Sequence, residues 1–325
     1  MEVIQNNDRH RYDRCVLALG NFDGVHLGHQ KLLEQTVKTA ARLGVCAGVY
    51  TFQVNTKKFL GAPDFALLTT DEEKNGIFSA CGLDFVCYDD FAAVKDLSPA
   101  AFCDEMLARF RVSAVVCGEN FTFGKNATAG SRDLKALMAE RGCETCIVPN
   151  VTVQGESVSS TAVRRYIAAG DMPAAQRLLG YRYFIRAKVV HGAQLGRKLG
   201  FPTINQLEYS GKAVPKFGVY ACLCSLMGIR CQGVANVGIR PTVSQENPHP
   251  PVLFETHLLD FDGDAYGSQV TVEFCKMLRP EQKFASLDEL HRNVMRNIEQ
   301  TREYFRTACS SEQSAFFGQR KDESK

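Results

Sequence analysis

The sequence has no apolar run approaching the ~18 residues that span a bilayer, which excludes a membrane-spanning helix. It has almost no charge excess either: 38 Lys and Arg face 36 Asp and Glu, a net charge of +2. So balanced a chain has no general attraction to nucleic acid or acidic membrane, and any anion must be held by a local site. Long Lys/Arg runs are missing, so neither a nucleic acid nor a membrane is expected as a partner. Residues 1–14 lack the apolar stretch of a secretory signal, and a cytoplasmic location is expected. No internal repeat is visible. The 13 cysteines lack the spacing of a zinc site, because neither Cys143/Cys146 nor Cys222/Cys224 has a second pair to complete four ligands. In a chain that is not exported they are expected to be reduced, packed or surface thiols.

What is present is ordinary for a folded soluble protein: 45% apolar and 23% charged residues. At 325 residues the chain exceeds what one core usually supports, so two domains are expected. Their rhythms differ. Up to about residue 180, short apolar runs such as Cys15–Leu19, Val45–Phe52 and Ala114–Cys117 alternate with helical stretches. One helix runs through Leu33, Val37 and Ala41 and stops at Gly44. Another opens at Ser98-Pro99 and carries Phe102, Met106, Leu107 and Phe110 on one face. Strand and crossover helix in alternation predict a parallel sheet, which binds ligands at the carboxyl ends of its strands. From residue 182 the pattern changes to short strands: Tyr183–Val190, Val219–Cys224, Gln232–Asn236, Phe254–Leu259 and Val270–Phe274. They predict a sandwich or small barrel. One helix closes it, opened by a capping box at Ser286–Glu289 and striped by Leu287, Leu290, Val294, Ile298 and Phe305. The expected domains are 1–181 and 182–308, with a flexible tail over 309–325.

Two stretches carry phosphate chemistry. Gly20-Asn-Phe-Asp-Gly-Val-His-Leu-Gly-His29 sits where a strand turns into a helix, and its glycines allow a ligand close to the backbone. His26 and His29 are placed to reach phosphate oxygens there. Taken alone, the string also reads as a tight turn with two solvated histidines. Ser159-Ser-Thr161 reads either as a helix cap or, with the fork of Arg164, as donors to a polyphosphate. In the second half, Gly192, Gly196 and Gly200 form a flexible loop, with Arg197 and Lys198 adding positive charge. It is followed by Pro202-Thr-Ile-Asn205. If extended, that segment turns Thr203 and Asn205 to one face and Ile204 to the other, and two neutral oxygens on one face suit Mg²⁺. The loop also reads as a plain glycine hairpin.

The ten-residue histidine string resembles that of the HxGH nucleotidylyltransferase superfamily. Leu67–Lys74, Val115–Gly124 and Val158–Arg164 follow in the order seen in the FAD synthetase module of bifunctional riboflavin kinase/FAD synthetases. The Gly192–Asn205 stretch resembles the riboflavin kinase signature, with Ile204 in place of alanine. Gly218–Tyr220, Ala235–Thr242, Phe254–Asp260, Leu278-Arg279 and Lys283-Phe284 continue the match. One departure stands out: after Tyr50–Phe52 that family has proline-histidine-proline, and this chain has Gln53–Thr56.

The resemblance implies a Rossmann-like α/β domain, then a small antiparallel β-barrel of riboflavin kinase type with a C-terminal helix. It implies that riboflavin is phosphorylated to FMN and FMN adenylylated to FAD, with ATP as co-substrate and Mg²⁺ as cofactor. Glu255 is then the base acting on the riboflavin hydroxyl, with His26 and His29 catalytic in the first module. Gly20, Phe22, Asp23, Gly24, Gly28, Asn120, Ser159, Ser160, Thr161, Arg164 and Asp171 serve nucleotide binding there. Gly192, Gly196, Arg197 and Gly200 do so in the second, Thr203 and Asn205 hold the metal, and Arg279 touches flavin. Two other readings stand beside this one: a riboflavin kinase with a decayed first domain, and a flavin-sensing RNA-binding regulator without activity. The sequence leaves the oligomeric state open.

Overall fold

The computed structural model describes residues 1–5, 14–61, 65–192, 196, 199–208, 211–239 and 252–308. Arg197, Lys198, Arg240–Thr242 and the 309–325 tail lie outside them. The chain divides into two compact units, Met1–Ser160 and Thr161–Lys325.

The first unit is built on strands β1 (Glu2–Gln5), β2 (Cys15–Leu19), β3 (Cys46–Phe52), β4 (Phe85–Asp89), β5 (Val112–Gly118) and β8 (Glu144–Val148). Thr122–Phe123 and Ala129–Gly130 form the small hairpin β6–β7, and Thr152–Val153 and Glu156–Ser157 form β9–β10. The main sheet is parallel, in the order β1-β4-β3-β2-β5-β8. Every side chain of β2 and β4 is buried, as expected for strands covered on both faces. The helices are α1 (Leu27–Leu43), α2 (Thr56–Phe59), α3 (Asp71–Ala80), α4 (Phe91–Val94), α5 (Pro99–Arg109) and α6 (Ser131–Glu140). Local signals set their ends. Gly44, at φ 65°, caps α1, and the Ser98 hydroxyl with Pro99 opens α5. From β2 the chain moves outward through β3 and β4, then returns to β5 on the other side. The switch point, where such sheets bind ligands, lies at the carboxyl end of β2.

Two details differ from the sequence reading. Residues 2–5 form an edge strand beside β4, although only Ile4 is buried; one buried side chain carries no readable period. The buried face of α1 is Leu32, Leu33, Thr36, Thr39 and Ala40, whereas Ala41 is exposed. Two threonines complete that face, and Thr36 does so by donating its hydroxyl to the Leu32 carbonyl at 2.9 Å.

The second unit begins within α7 (Ser160–Ala169), followed by α8 (Met172–Leu179). Its strands are β11 (Phe184–Lys188), β12 (Thr203–Glu208), β13 (Gly218–Leu226), β14 (Ile229–Ile239), β15 (Val252–Leu258) and β16 (Gln269–Pro280). They form one antiparallel sheet ordered β11-β16-β13-β14-β15-β12, curled into a nearly closed barrel. The seam between its end strands is closed by a Val190–Asn205 bridge and by Gln206. The buried Gln206 amide donates to the carbonyls of Ala187 and Val270, both at 2.8 Å. Helix α9 (Leu287–Ala308) covers the outer face over Val219, Val234 and Leu259, burying Ile298. Its buried line departs from the expected stripe. Leu287 is 55% exposed, and Asn297 and Thr301 are buried beside Ile298. At the helix start, Ser286 accepts from the Glu289 N–H, and Glu289 reaches back to the Ala285 N–H. Cys222 and Cys224 lie buried in the barrel wall with their sulfurs 3.7 Å apart.

The division after Ser160 places α7 and α8 with the barrel, ahead of the boundary expected at residue 182. Lys216 N–H donates to the Ile167 carbonyl at 3.2 Å, and a Cβ on Gly170 would sit 2.7 Å from Met277 Sδ. Helical period does not reveal which core a helix covers. A fragment starting at residue 161 is therefore expected to melt cooperatively and at higher temperature than one starting at 182, which uncovers that face. Equal melting temperatures would show α7 and α8 to be dispensable to the barrel.

Candidate functional site

At the end of β2 the chain turns through a strained segment. Phe22, Gly24 and Val25 have φ of 49°, 80° and 32°, and both Phe22 and the β-branched Val25 are fully buried in that conformation. Such outliers persist only where surrounding structure enforces them, and they cluster at functional sites. Here the enforcing contacts are visible. Asp23 Oδ1 accepts from the N–H groups of Leu68 (2.9 Å) and Thr69 (3.2 Å), and Gly24 N–H donates to Thr69 Oγ1. A Cβ on Gly24 would lie 2.6 Å from Leu68. Ser160 Oγ donates to the Asp23 carbonyl at 2.9 Å. Asp23, Gly24 and Ser160 thus tie down the turn itself.

The tied turn presents the histidines. His26 is the N-cap of α1, its Nδ1 accepting from the His29 N–H at 3.3 Å, which leaves the ring proton of a neutral His26 on Nε2. The two imidazoles stack with centroids 3.7 Å apart and planes 13° from parallel. A Cβ on Gly28 would come 3.2 Å from the His26 ring, so glycine there makes room for it. Burial, then His26, then Lys74 hold the His29 imidazole pKa well below its usual value. Its Nδ1 is buried and has no hydrogen-bond partner among the described residues. A buried polar atom without a partner costs about 1–3 kcal/mol, so its retention at this turn calls for a reason.

Of the remaining residues picked from the sequence, Gly20 packs against the Phe22 ring and Asn120 donates to Asn150 Oδ1 at 3.0 Å. Ser159 lies just ahead of α7; Thr161 and Arg164 follow on that helix, in the second unit. Asp171 caps α8 by accepting from the Ala174 N–H. The departing Gln53–Thr56 segment does reach the turn: Asn21 Nδ2 donates to Thr56 Oγ1 at 3.0 Å. Lys74 went unselected by sequence. It is a 7%-exposed lysine on α3, and its burial depends on tertiary packing that no local pattern shows.

In the barrel, antiparallel register builds the second site. Asn205 on β12 stands opposite Glu255 on β15, and Glu255 stands opposite Asn236 on β14. The row continues through Val219 on β13 to Arg279 on β16. Residues directly opposite share a face, so three picked residues fall on one line, together with Asn236. Thr203 lies two residues before Asn205 on the same face, while Ile204 and its opposite, the fully buried Thr256, take the other. Glycines press against this face. A Cβ on Gly192 would sit 2.4 Å from Asn205 Nδ2, and one on Gly196 would sit 3.4 Å from Thr203 Oγ1. Gly200 has φ +85° and open space around it. Asn205 is only 4% exposed, and its Oδ1 has no partner among the described residues. That orphaned oxygen under a glycine cradle fits a hard cation. Arg279 is held by Asn297 Oδ1 (3.1 Å), the Pro280 carbonyl and the Phe284 ring, and burial lowers its pKa.

Fold and sites together define a two-module nucleotide-handling enzyme, an α/β module with a histidine-bearing turn and a barrel with a glycine-covered polar row. Comparison with known proteins agrees. A FAD synthetase family model matches residues 8–162 and a riboflavin kinase model matches 179–305. The bifunctional riboflavin kinase/FMN adenylyltransferase of Bacillus subtilis (strain 168) is 33% identical over 296 residues, 90% of this chain and 93% of that one. That of Escherichia coli (strain K12) is 34% identical over 308 residues, 93% and 96% of the two chains. A crystal structure from Streptococcus pneumoniae, described as a macrolide-efflux protein, superposes with a TM-score of 0.85 at 29% identity, covering 93% of this chain and 99% of that one. The chain belongs to the bifunctional riboflavin kinase/FMN adenylyltransferase family. Among its described residues no helix is long and apolar enough to cross a membrane.

Proposed function

We infer that the barrel phosphorylates riboflavin to FMN and that the α/β module adenylylates FMN to FAD, each with its own ATP. The observation that carries this is shared by both modules: an orphaned buried polar atom at a glycine-rich turn, His29 Nδ1 in one and Asn205 Oδ1 in the other. In the barrel, Glu255 takes the proton of the ribityl primary alcohol as its oxygen attacks the γ-phosphorus; the bond from that phosphorus to the ADP oxygen breaks and ADP leaves. In the α/β module a phosphate oxygen of FMN attacks the α-phosphorus of ATP; the bond to the β-phosphate oxygen breaks and pyrophosphate leaves. His26 and His29 donate hydrogen bonds to the charge that gathers at the α-phosphate.

Thr203 and Asn205 would hold Mg²⁺, which neutralises polyphosphate charge when bound. Gly192, Gly196, Arg197 and Gly200 serve the nucleotide beside them, and Arg279 meets the flavin. In the first module, Gly20, Phe22, Asp23, Gly24, Gly28, Asn120, Ser159 and Ser160 shape or line the nucleotide site; Thr161, Arg164 and Asp171 carry the nucleotide-binding role that the resemblance implies. The twelve described cysteines are free thiols, which suits a reducing cytoplasm.

Incubation with riboflavin, ATP and Mg²⁺ tests the reading, with FAD as the expected product. FMN alone would favour a decayed first domain, and no product would overturn both activities. Thr203→Ala and Asn205→Ala are expected to raise the Mg²⁺ requirement of FMN formation severalfold. Adenylylation of supplied FMN should be untouched, and an unchanged Mg²⁺ titration in both variants refutes the ligand assignment.

A further inference from the structure

Behind the stacked histidines lies a charge that the mechanism above does not use. Lys74 sits in the first turn of α3, which Thr70 and Glu73 fix by a reciprocal capping box (3.2 and 2.9 Å). Its side chain is 9% exposed. Asp71 answers it at 2.8 Å but is itself 56% exposed, and the Tyr88 ring lies 5.1 Å away. A buried ammonium is costly unless it is well compensated, so a lysine kept there calls for a reason.

Geometry supplies one. Phe78 is one helical turn beyond Lys74 on the same face of α3. It packs edge-on to Phe22 at 5.6 Å, and Phe22 packs on His29 at 5.2 Å. The face of α3 that carries Lys74 is therefore docked, through Phe22, against the histidine pair. We propose that Lys74 is a positioning residue for adenylyl transfer: its fixed positive charge keeps the His26/His29 stack neutral, so that both imidazoles act as hydrogen-bond donors that hold their protons. The electrostatics agree in sign: after burial and His26, repulsion by Lys74 lowers the His29 pKa. Among the described residues, Asp23 of the turn is engaged by Leu68 and Thr69, Glu73 sits in its capping box, and Asp71 and Tyr88 stand beside Lys74. Asp71 is the one that screens Lys74 directly.

This inference rests on the adenylylation reading, and the experiment separates the two. FAD formation from FMN and ATP is measured across pH for wild type, Lys74→Met, Lys74→Arg and Asp71→Asn. Neutral His29 is the active form, so activity falls on the acid side as it protonates. Removing the neighbouring cation makes protonation easier, so Lys74→Met moves the acid limb of kcat/KM to higher pH. Removing the screening carboxylate does the opposite, so Asp71→Asn moves it lower, and Lys74→Arg keeps it in place. A role in packing alone predicts no such opposed shifts. Limbs that stay put, or that shift in the same direction for Lys74→Met and Asp71→Asn, overturn the proposal. If Lys74→Met does not fold, the exposed Asp71→Asn variant still decides by the direction of its shift. A wild type that makes no FAD at any pH defeats the adenylylation reading itself.

Discussion

His29→Ala lowers FAD formation from FMN and ATP about 100- to 1000-fold, equivalent to ~2.7–4 kcal/mol, while FMN formation from riboflavin keeps its wild-type rate. On the proposed function, the size follows because His29 would be one preorganised donor aimed at the charge developing on phosphate. Its selectivity follows from the division of the chain: His29 lies in the first unit, and Thr203, Asn205 and Glu255 lie in the second. The fold should survive. His29 accepts no hydrogen bond at its buried Nδ1, and the cap of α1 is made by the His26 ring and the His29 backbone N–H, which alanine retains. Separate assays from riboflavin and from FMN read the two steps. Equal loss of both in a folded variant would contradict independent sites, and undiminished FAD synthesis would return His29 to a merely structural role.

Glu255→Gln has the complementary effect. FMN formation is expected to fall by about 100- to 10,000-fold, the usual worth of a positioned general base, and adenylylation of supplied FMN to continue unchanged. Glutamine preserves volume and the place in the row between Asn205 and Asn236, so packing and register are kept. It has no basic oxygen to take the proton of a primary alcohol. Thermal melting should match wild type while kcat drops. A variant retaining full kinase activity would remove Glu255 from the chemistry without disturbing the assignment of the barrel.

Much of the architecture was legible because local signals agree with the fold. The buried run Cys15–Leu19, the glycine-histidine turn after it and the stop at Gly44 are each written within a few residues. So is the opening of α5 at Ser98-Pro99. Alternation along one strand placed Thr203 and Asn205 together before any pairing was known. What was not legible depends on partners distant in sequence. The adjacency of Asn236 to Glu255 is a matter of register between two strands, and within its own segment Asn236 is one polar residue among several. Asn297 on α9 reads as solvent-facing, yet it is 3% exposed because its carboxamide receives the Arg279 guanidinium. Lys74 is legible as a residue and illegible as a buried charge, since its burial and the Tyr88 ring beside it arise only in the folded chain.

The seam of the barrel has a thermodynamic consequence. β11 and β12 are the end strands of the sheet, so β12 has a full ladder only with β15, and its other side is held by the Val190 bridge and the Gln206 amide. This seam strand also carries Thr203 and Asn205. Whatever binds their outward face binds the zipped barrel more tightly than an unzipped one, and so raises the free energy of local opening by its own differential affinity. By reciprocity, anything that loosens the seam from within weakens occupancy of the outer face by the same factor. Gln206, which ties the seam from within, sits on that thermodynamic linkage between barrel closure and occupancy of the outer face.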